Sequence, residues 1–310
     1  MHTFENINDF LYAAANSIKN EFPGHNVEPH TATKNNNVKL HGIMISKQDS
    51  AVAPTVYVDH YFDALKAGCP FGSILEEIKQ ECKEVLESTL MDMNTDFIKD
   101  FAALKDNICF KLVNKELNKN RLVSMPHRDF HGLAIMFYIQ LKTTDTGTST
   151  IDVTDTLAQI WGVDEAQLYA LAQANTKRLH RGCIIPLSDV IAGMMDVHAS
   201  HEYESFDFTK CENNCLIPMY VATNPTNKNG AAVILYPGLL EDVSKELGSF
   251  IVIPSSINEV ILVPDTFCNK MSDLSSMVRD INATDVLEFE ILSDQCLFYD
   301  AGKHTLEEIA

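Results

Sequence analysis

Basic residues are scarce: 24 Lys and Arg face 43 Asp and Glu, a formal net charge of −19 over 310 residues. Nucleic-acid binding draws its affinity from cations that neutralise phosphates, and docking on an anionic membrane surface makes the same demand, so direct contact with either is disfavoured. Long apolar runs are missing as well. No stretch approaches the roughly 20 residues needed to span a bilayer. The opening Met1-His-Thr-Phe-Glu-Asn-Ile-Asn-Asp9 has no basic segment followed by an apolar one, so neither a membrane span nor a secretory leader is expected. Eight cysteines are scattered without a tight framework, the usage of reduced thiols in a cytoplasm. Internal repeats, low-complexity tracts and a Gly-rich phosphate loop are absent, and so is the aromatic–basic interleaving that binds single strands.

What is present is a globular composition, 45% hydrophobic and 22% charged, on a chain long enough for one large domain or two ordinary ones. The clearest stretch covers residues 219–265. Residues 219–223 read as a strand, 224–230 as a loop rich in residues that tolerate left-handed backbone, and the apolar run 231–236 as a strand covered on both faces. Pro237 stands where a helix can begin, Leu239, Leu240, Val243 and Leu247 share one helical face, and Gly248 stops it. Residues 250–253 and 260–263 are β-branched runs around a turn at 254–258.

Elsewhere the pattern predicts a helix over 4–19, a loop over 20–37 and strands over 38–45 and 55–58. A further helix is opened by the capping-box spacing Ser73-Ile-Leu-Glu76. Short helical or mixed pieces follow at 97–104 and 108–117, then a hairpin from 133–141 and 150–153 about a Thr-rich turn. Helices are predicted over 154–161, from Asp164 onward, over 188–195 and over 272–282, with a surface loop over 198–214 and a last strand over 296–299. Helices and strands mix without a βαβ rhythm. That predicts an α+β fold, a mixed and largely antiparallel sheet with packed helices, either divided into α+β regions over 1–125 and 126–310 or continuous as one domain.

Ala53-Pro-Thr-Val-Tyr-Val58 with Tyr61 and Gly68, Pro126-His-Arg-Asp-Phe130 with the strand after it, Trp161-Gly-Val163 with Leu168-Tyr169, the 219–265 block and Leu292-Ser-Asp294 together carry a resemblance. In these segments the chain resembles the uncharacterised bacterial family, chiefly from Firmicutes, known as domain of unknown function 5688. The resemblance implies a cytoplasmic bacterial protein of α+β type; the family has no assigned activity, so no catalytic residue is carried over. Where similar proteins read Ser-Ser-Ile-His-Glu, this chain has Ser255-Ser256-Ile257-Asn258-Glu259. The substitution removes a histidine base that could pair with a serine, and it fits a turn in which short polar side chains bond to the backbone.

Four residues have metal-like spacing: His198 and His201, then Cys211 and Cys215, two imidazoles and two thiols of the kind zinc takes tetrahedrally, although the order and spacing are unusual. His127 and His131 would be a ligand pair only on a helix, and the strand pattern after them favours a structural histidine. Cys69 sits before a helix whose positive end could lower a thiol pKa, but no histidine partner is identifiable. The helix start after Leu235-Tyr-Pro-Gly-Leu239 is a place that can bind anions. A pocket is expected where polar positions of the central block meet: Asn224, Tyr236, Ser255, Ser256, Glu259 and Asn282. These features lack a coherent catalytic constellation. The expectation is therefore a non-enzymatic cytoplasmic binding or regulatory module, carried on mobile elements or prophage, with a protein partner of basic character and no cofactor. The alternatives are a hydrolase-like enzyme using the central polar residues or a zinc centre, and an acidic mimic of nucleic acid that binds a basic partner.

Overall fold

Phe10, Leu11, Ala14 and Ile18 recur on one face of a helix, α1 (Ile7–Ile18), and all four are buried. Asn6 caps it, its side-chain oxygen accepting the Asp9 N–H at 3.0 Å. The computed structural model describes residues 4–47, 53–88, 95–144, 147–191, 218–267 and 271–309. The chain divides into two compact units, Met1–Lys99 and Asp100–Ala310.

In the first unit, α1 is followed by β1 (His25–Thr33), β2 (Lys39–Lys47) and β3 (Thr55–Tyr57), an antiparallel sheet in the order β1-β2-β3. Two helices complete it, α2 (Asp59–Lys66) and α3 (Phe71–Ser88). The core joins the α1 face to Ile43 and Ile45 of β2, Val56 of β3 and Ile74, Ile78 and Cys82 of α3. Two expectations are corrected here. The loop predicted over 20–37 contains β1, an edge strand whose inward positions are His25, Val27 and Pro29. An edge strand tolerates proline because one row of its N–H groups has no ladder partner. The second correction concerns Ser73, which does not cap α3. The helix begins two residues earlier, with the Ser73 and Ile74 N–H groups donating to the Pro70 carbonyl.

The second unit opens with α4 (Phe101–Leu104), β4 (Ile108–Asn114), α5 (Lys119–Leu122), β5 (His127–Phe130), β6 (Leu133–Thr144) and β7 (Gly147–Asp152). β6 pairs with β4 along one edge and with β5 and then β7 along the other, all antiparallel. β4 corrects the short helical or mixed piece expected at 108–117. Five of its seven residues are buried, so the sequence shows no alternation to mark it. It pairs with β6 within the second unit. Next come α6 (Asp155–Trp161), capped by Thr154, and α7 (Glu165–Leu179), opened by a capping box between Asp164 and Gln167. α7 is pinned to β4: Phe110 N–H donates to the Thr176 hydroxyl at 3.0 Å, and Asn175 Nδ2 donates to the Lys105 and Ile108 carbonyls.

The remaining elements are β8 (Cys183–Pro186), α8 (Leu187–Ile191), β9 (Tyr220–Thr223), α9 (Leu239–Leu247), β10 (Phe250–Ser256), β11 (Glu259–Pro264), α10 (Met271–Thr284), β12 (Leu297–Asp300) and β13 (Thr305–Glu308). Six strands form an antiparallel sheet in the order β13-β12-β10-β11-β9-β8. The run expected as a strand at 231–236 is instead a 3₁₀ turn, Gly230–Leu235, with every residue buried. A six-residue apolar run bounded by turns is compatible with any buried element, and here Asn229 at φ 54° starts a helical turn. Strand β10 runs on through Pro254, so the turn expected at 254–258 shrinks to Ile257 and Asn258. The fold is α+β, with antiparallel sheets and packed helices throughout the described residues.

Candidate functional site

Leu179 ends α7, and the chain turns back at once into β8, leaving Lys177 and Arg181 exposed around Gly182. Against them stands the start of α9, entered through Tyr236, Pro237 and Gly238, the last at φ 82°. Between the two lies a cavity of about 380 Å³, lined by Lys177, Arg181, Gly182, Tyr236, Pro237, Leu239 and Asp242. Tyr236 and Leu239 are buried and form its apolar wall. The ring of Tyr236 is held by its hydroxyl, which donates to the His180 carbonyl at 2.5 Å. Asp242 is ion-paired with Lys245 at 2.7 Å.

Of the six residues expected to meet in a pocket, only Tyr236 is among the described lining residues of this cavity, beside Pro237 and Leu239 of the helix start. Asn224, Ser256 and Glu259 gather at one end of the six-stranded sheet, in a knot of structural hydrogen bonds. The Asn224 side chain accepts from the Thr226 N–H and donates to the Lys228 carbonyl, while the Ser256 hydroxyl accepts the Asn258 N–H at 3.0 Å. Asn258 is the hub. Its carbonyl accepts from the Thr223 hydroxyl at 2.7 Å, its side-chain oxygen accepts the Asn229 N–H, and its amide donates to Glu290. Asn282 lies apart from the knot, its amide donating to the Ser293 carbonyl and the Asp294 carboxylate. Ser255 lies in β10, within this hairpin.

Glu259 is the member whose charged form is disfavoured. Burial, and then the like charge of Glu290, hold its carboxyl above the usual range. A raised folded-state pKa means the native protein binds more protons than the unfolded chain between the ordinary carboxyl value and the raised one, so stability falls as pH rises through that window. Glu259→Gln is therefore expected to be more stable than the parent at pH 7, with the gain vanishing below the ordinary carboxyl value; urea titrations across pH 4–8 measure it.

A second polar cluster is sealed in the core. Tyr138 and His180 lie 3.2 Å apart, hydroxyl to Nε2, and the Cys109 thiol contacts the Tyr138 and Thr176 side chains. Burial pushes the Cys109 and Cys183 thiols up to about 11 and holds the His180 imidazole below its ordinary value. A buried thiol held in its protonated form is a packing group, not an activated nucleophile.

At the other end of α7 a groove of about 430 Å³ runs between the α5 turn and α6, lined by Leu122, Val123, Met125, Pro126 and His127 on one side. Asp155, Ala158, Gln159, Val163, Asp164 and Glu165 form the other side. Val123 is 83% exposed, and no lysine or arginine is among the described lining residues. Glu165 pairs with Arg128 at 2.9 Å, and Asp164 caps α7. His127 lies in β5 with Nδ1 2.8 Å from the Met125 carbonyl, and His131 occupies the following turn at φ 45°, so the two do not share a helix face. Cys69 is exposed in the turn before α3. His198, His201, Cys211 and Cys215 lie outside the described residues. Among the described residues no three His, Cys, Asp or Glu side chains could hold a metal ion together.

The second unit is thus an α+β body presenting, among its described residues, a small cavity and an acidic, partly apolar groove at opposite ends of one helix. The chain belongs to the family of unknown function DUF5688, whose model matches residues 7–301. No curated protein and no solved structure matches it.

Proposed function

We propose that the chain is a binding module that docks a basic, partly apolar segment of a partner protein in the groove between α5 and the α6–α7 turn, without catalysing a reaction on it. The chemistry of the groove supports this reading: three carboxylates stand beside the exposed Val123 and the Leu122–Met125 floor. Complementary charge steers such a partner and fixes its register, while the apolar contacts supply holding energy. Of the polar residues that would have served a hydrolase, Asn224, Ser256 and Asn282 are engaged instead in internal hydrogen bonds. The free thiols of Cys69, Cys82, Cys109, Cys183 and Cys296 fit a reducing, cytoplasmic location. Among the described residues no helix is long and apolar enough to cross a membrane.

The test is partner capture from the source cell with the wild-type chain and with Val123→Lys/Asp155→Lys, followed by titration of the purified partner. The double variant should bind at least about tenfold more weakly, and moderate salt should weaken the wild-type complex. A partner held equally by both chains sinks the groove reading. An ester- or phosphate-cleaving activity lost in Glu259→Ala would replace it with the hydrolase alternative.

A further inference from the structure

We propose that the partner segment enters the groove between α5 and the α6–α7 turn as an extended chain, adding an antiparallel strand to the outer edge of β5, with apolar and basic residues alternating along it. The inference rests on the groove reading above and adds the main-chain geometry of β5. This strand pairs with β6 on one side only. The two are joined by His131 and Gly132, at φ 45° and 70°, the left-handed pair of a tight hairpin turn. In such a hairpin the closing pair, Phe130 with Leu133, exchanges ladder hydrogen bonds. Bonded and non-bonded pairs then alternate along an antiparallel ladder. Arg128 therefore bonds to Ile135, while His127 and Asp129, opposite Met136 and Ala134, turn their N–H and C=O groups outward. Among the described residues no other main-chain hydrogen bond reaches either of them.

Two layers flank this open edge. On the His127 side of the sheet, Leu122 and Met125 pack with Ala134 and Met136, the cross-strand neighbours of Asp129 and His127. On the opposite side Arg128 lies over the Tyr169 ring at 3.9 Å and is ion-paired with Glu165 at the start of α7. Leu122, Met125, His127 and Glu165 all line the groove, so the groove follows the edge of β5 between the two layers.

An extended segment is the occupant that matches such a wall. A helix satisfies its own main chain, whereas a strand arrives with unpaired groups. Main-chain bonds then give affinity, and alternate side chains give specificity. Residues of the segment that bond to His127 and Asp129 send their side chains to the Leu122–Met125 side, beside the exposed Val123, so they should be apolar. The residues between them point to the Glu165 side, where Asp164 also lines the groove, so they should be basic. At four residues β5 is a short edge, and the competing account is that its brevity keeps it from pairing at all. That account leaves the groove to side-chain contacts alone.

The experiment titrates the full chain with the peptide acetyl-Lys-Val-Lys-Val-Lys-Val-amide and follows amide hydrogen exchange residue by residue. The peptide should bind with a Kd of about 1 mM or tighter. At saturation it should slow exchange at His127 and Asp129 by about tenfold or more, leaving Arg128, already in the ladder, unchanged. Methylating the main-chain nitrogens of the valines removes the donors that face β5 and should weaken binding by about tenfold or more. Methylating those of the lysines touches only the far edge of the added strand and should cost less than about threefold. Equal loss from either set, with His127 and Asp129 exchanging as in the free chain, overturns the strand mode. If Val123→Lys/Asp155→Lys still weakens the peptide in that case, the groove reading survives. A peptide that does not bind at about 5 mM, or that binds the double variant equally well, sinks the groove reading and this inference with it.

Discussion

Asp152→Ala is expected to destabilise the second unit by about 3 kcal/mol or more, whereas Lys111→Met, which also breaks an ion pair, should be close to neutral. Asp152 at the end of β7 receives Lys111 Nζ at 2.6 Å on one carboxylate oxygen and the Arg121 guanidinium on the other. All three side chains are largely buried, with between 16% and 23% of their surface exposed. Two cations therefore share one anion, and the consequences of removal are unequal. Taking away Asp152 strands both cations, and breaking a buried pair by deleting one partner typically costs about 3–5 kcal/mol because a desolvated charge is left uncompensated. Taking away Lys111 leaves Asp152 and Arg121 as a one-to-one pair and relieves a lysine that burial already holds below its ordinary pKa, against the opposing pull of Asp152.

A pH series separates this account from a simple packing defect. In Asp152→Asn the carboxylate that favours the charged amine is gone, so Lys111 titrates lower still in the native state. Between that value and the ordinary lysine value the unfolded chain binds more protons than the native one, so stability rises with pH. The deficit of Asp152→Asn should accordingly narrow as pH is raised toward the ordinary lysine value. A deficit independent of pH, or a Lys111→Met penalty as large as that of Asp152→Ala, would mean that the triad acts through shape and not through charge.

These groups show where the sequence was legible. Features closed within a few residues could be read. Thr154 accepts the Leu157 N–H, Asp164 and Gln167 cap α7 reciprocally, and Gly248 at φ 70° ends α9, because each needs only the local chain. Features completed by a distant partner could not. β1 has one buried apolar residue, Val27, and is a strand because the ladder of β2 satisfies it over nine residue pairs. β4 is recognisable only once β6 and α7 cover its two faces. Ser73-Ile-Leu-Glu76 has the spacing of a cap, yet Pro70 offers its carbonyl first and the helix starts ahead of it. The same distinction applies to the sites. The helix start after Tyr236 was a visible place for an anion, but Lys177 and Arg181 come from a helix end more than fifty residues earlier, and no spacing rule joins the two. The Asp155–Glu165 side of the groove read only as the starts of two helices, and its apolar counterpart at Val123 falls just beyond a four-residue helix with no periodicity of its own.

Gly230→Ala should be the other severe substitution, with an expected loss of about 3 kcal/mol or more in urea unfolding and an unchanged m-value. No left-handed backbone is involved, since Gly230 is not among the positive-φ positions; the requirement is close approach. A Cβ there would lie 2.2 Å from the Asn258 carbonyl oxygen, 2.2 Å from the Thr223 hydroxyl and 3.0 Å from the Asn224 nitrogen. The first two atoms are hydrogen-bonded to each other at 2.7 Å, so the methyl group would enter the bond itself. Overpacking a tight site costs roughly 1–3 kcal/mol, and leaving a buried hydroxyl and carbonyl unpaired adds about 1–3 more. Thr223→Ala alone removes the hydroxyl and the bond but inserts nothing. In the double variant one of the two close contacts is already gone and no bond remains to be wedged open, so its loss should be smaller than the sum of the two single losses by 0.5 kcal/mol or more, the signature of coupled neighbours. Strict additivity would show that Gly230 is replaced with the turn simply moving aside. The coupling also reaches the cavity. The Thr223–Asn258 bond and the Ala231 N–H to Ile257 carbonyl bond fix the start of the buried turn that leads to Tyr236, so a wedge at Gly230 should also displace the Tyr236 wall of that cavity.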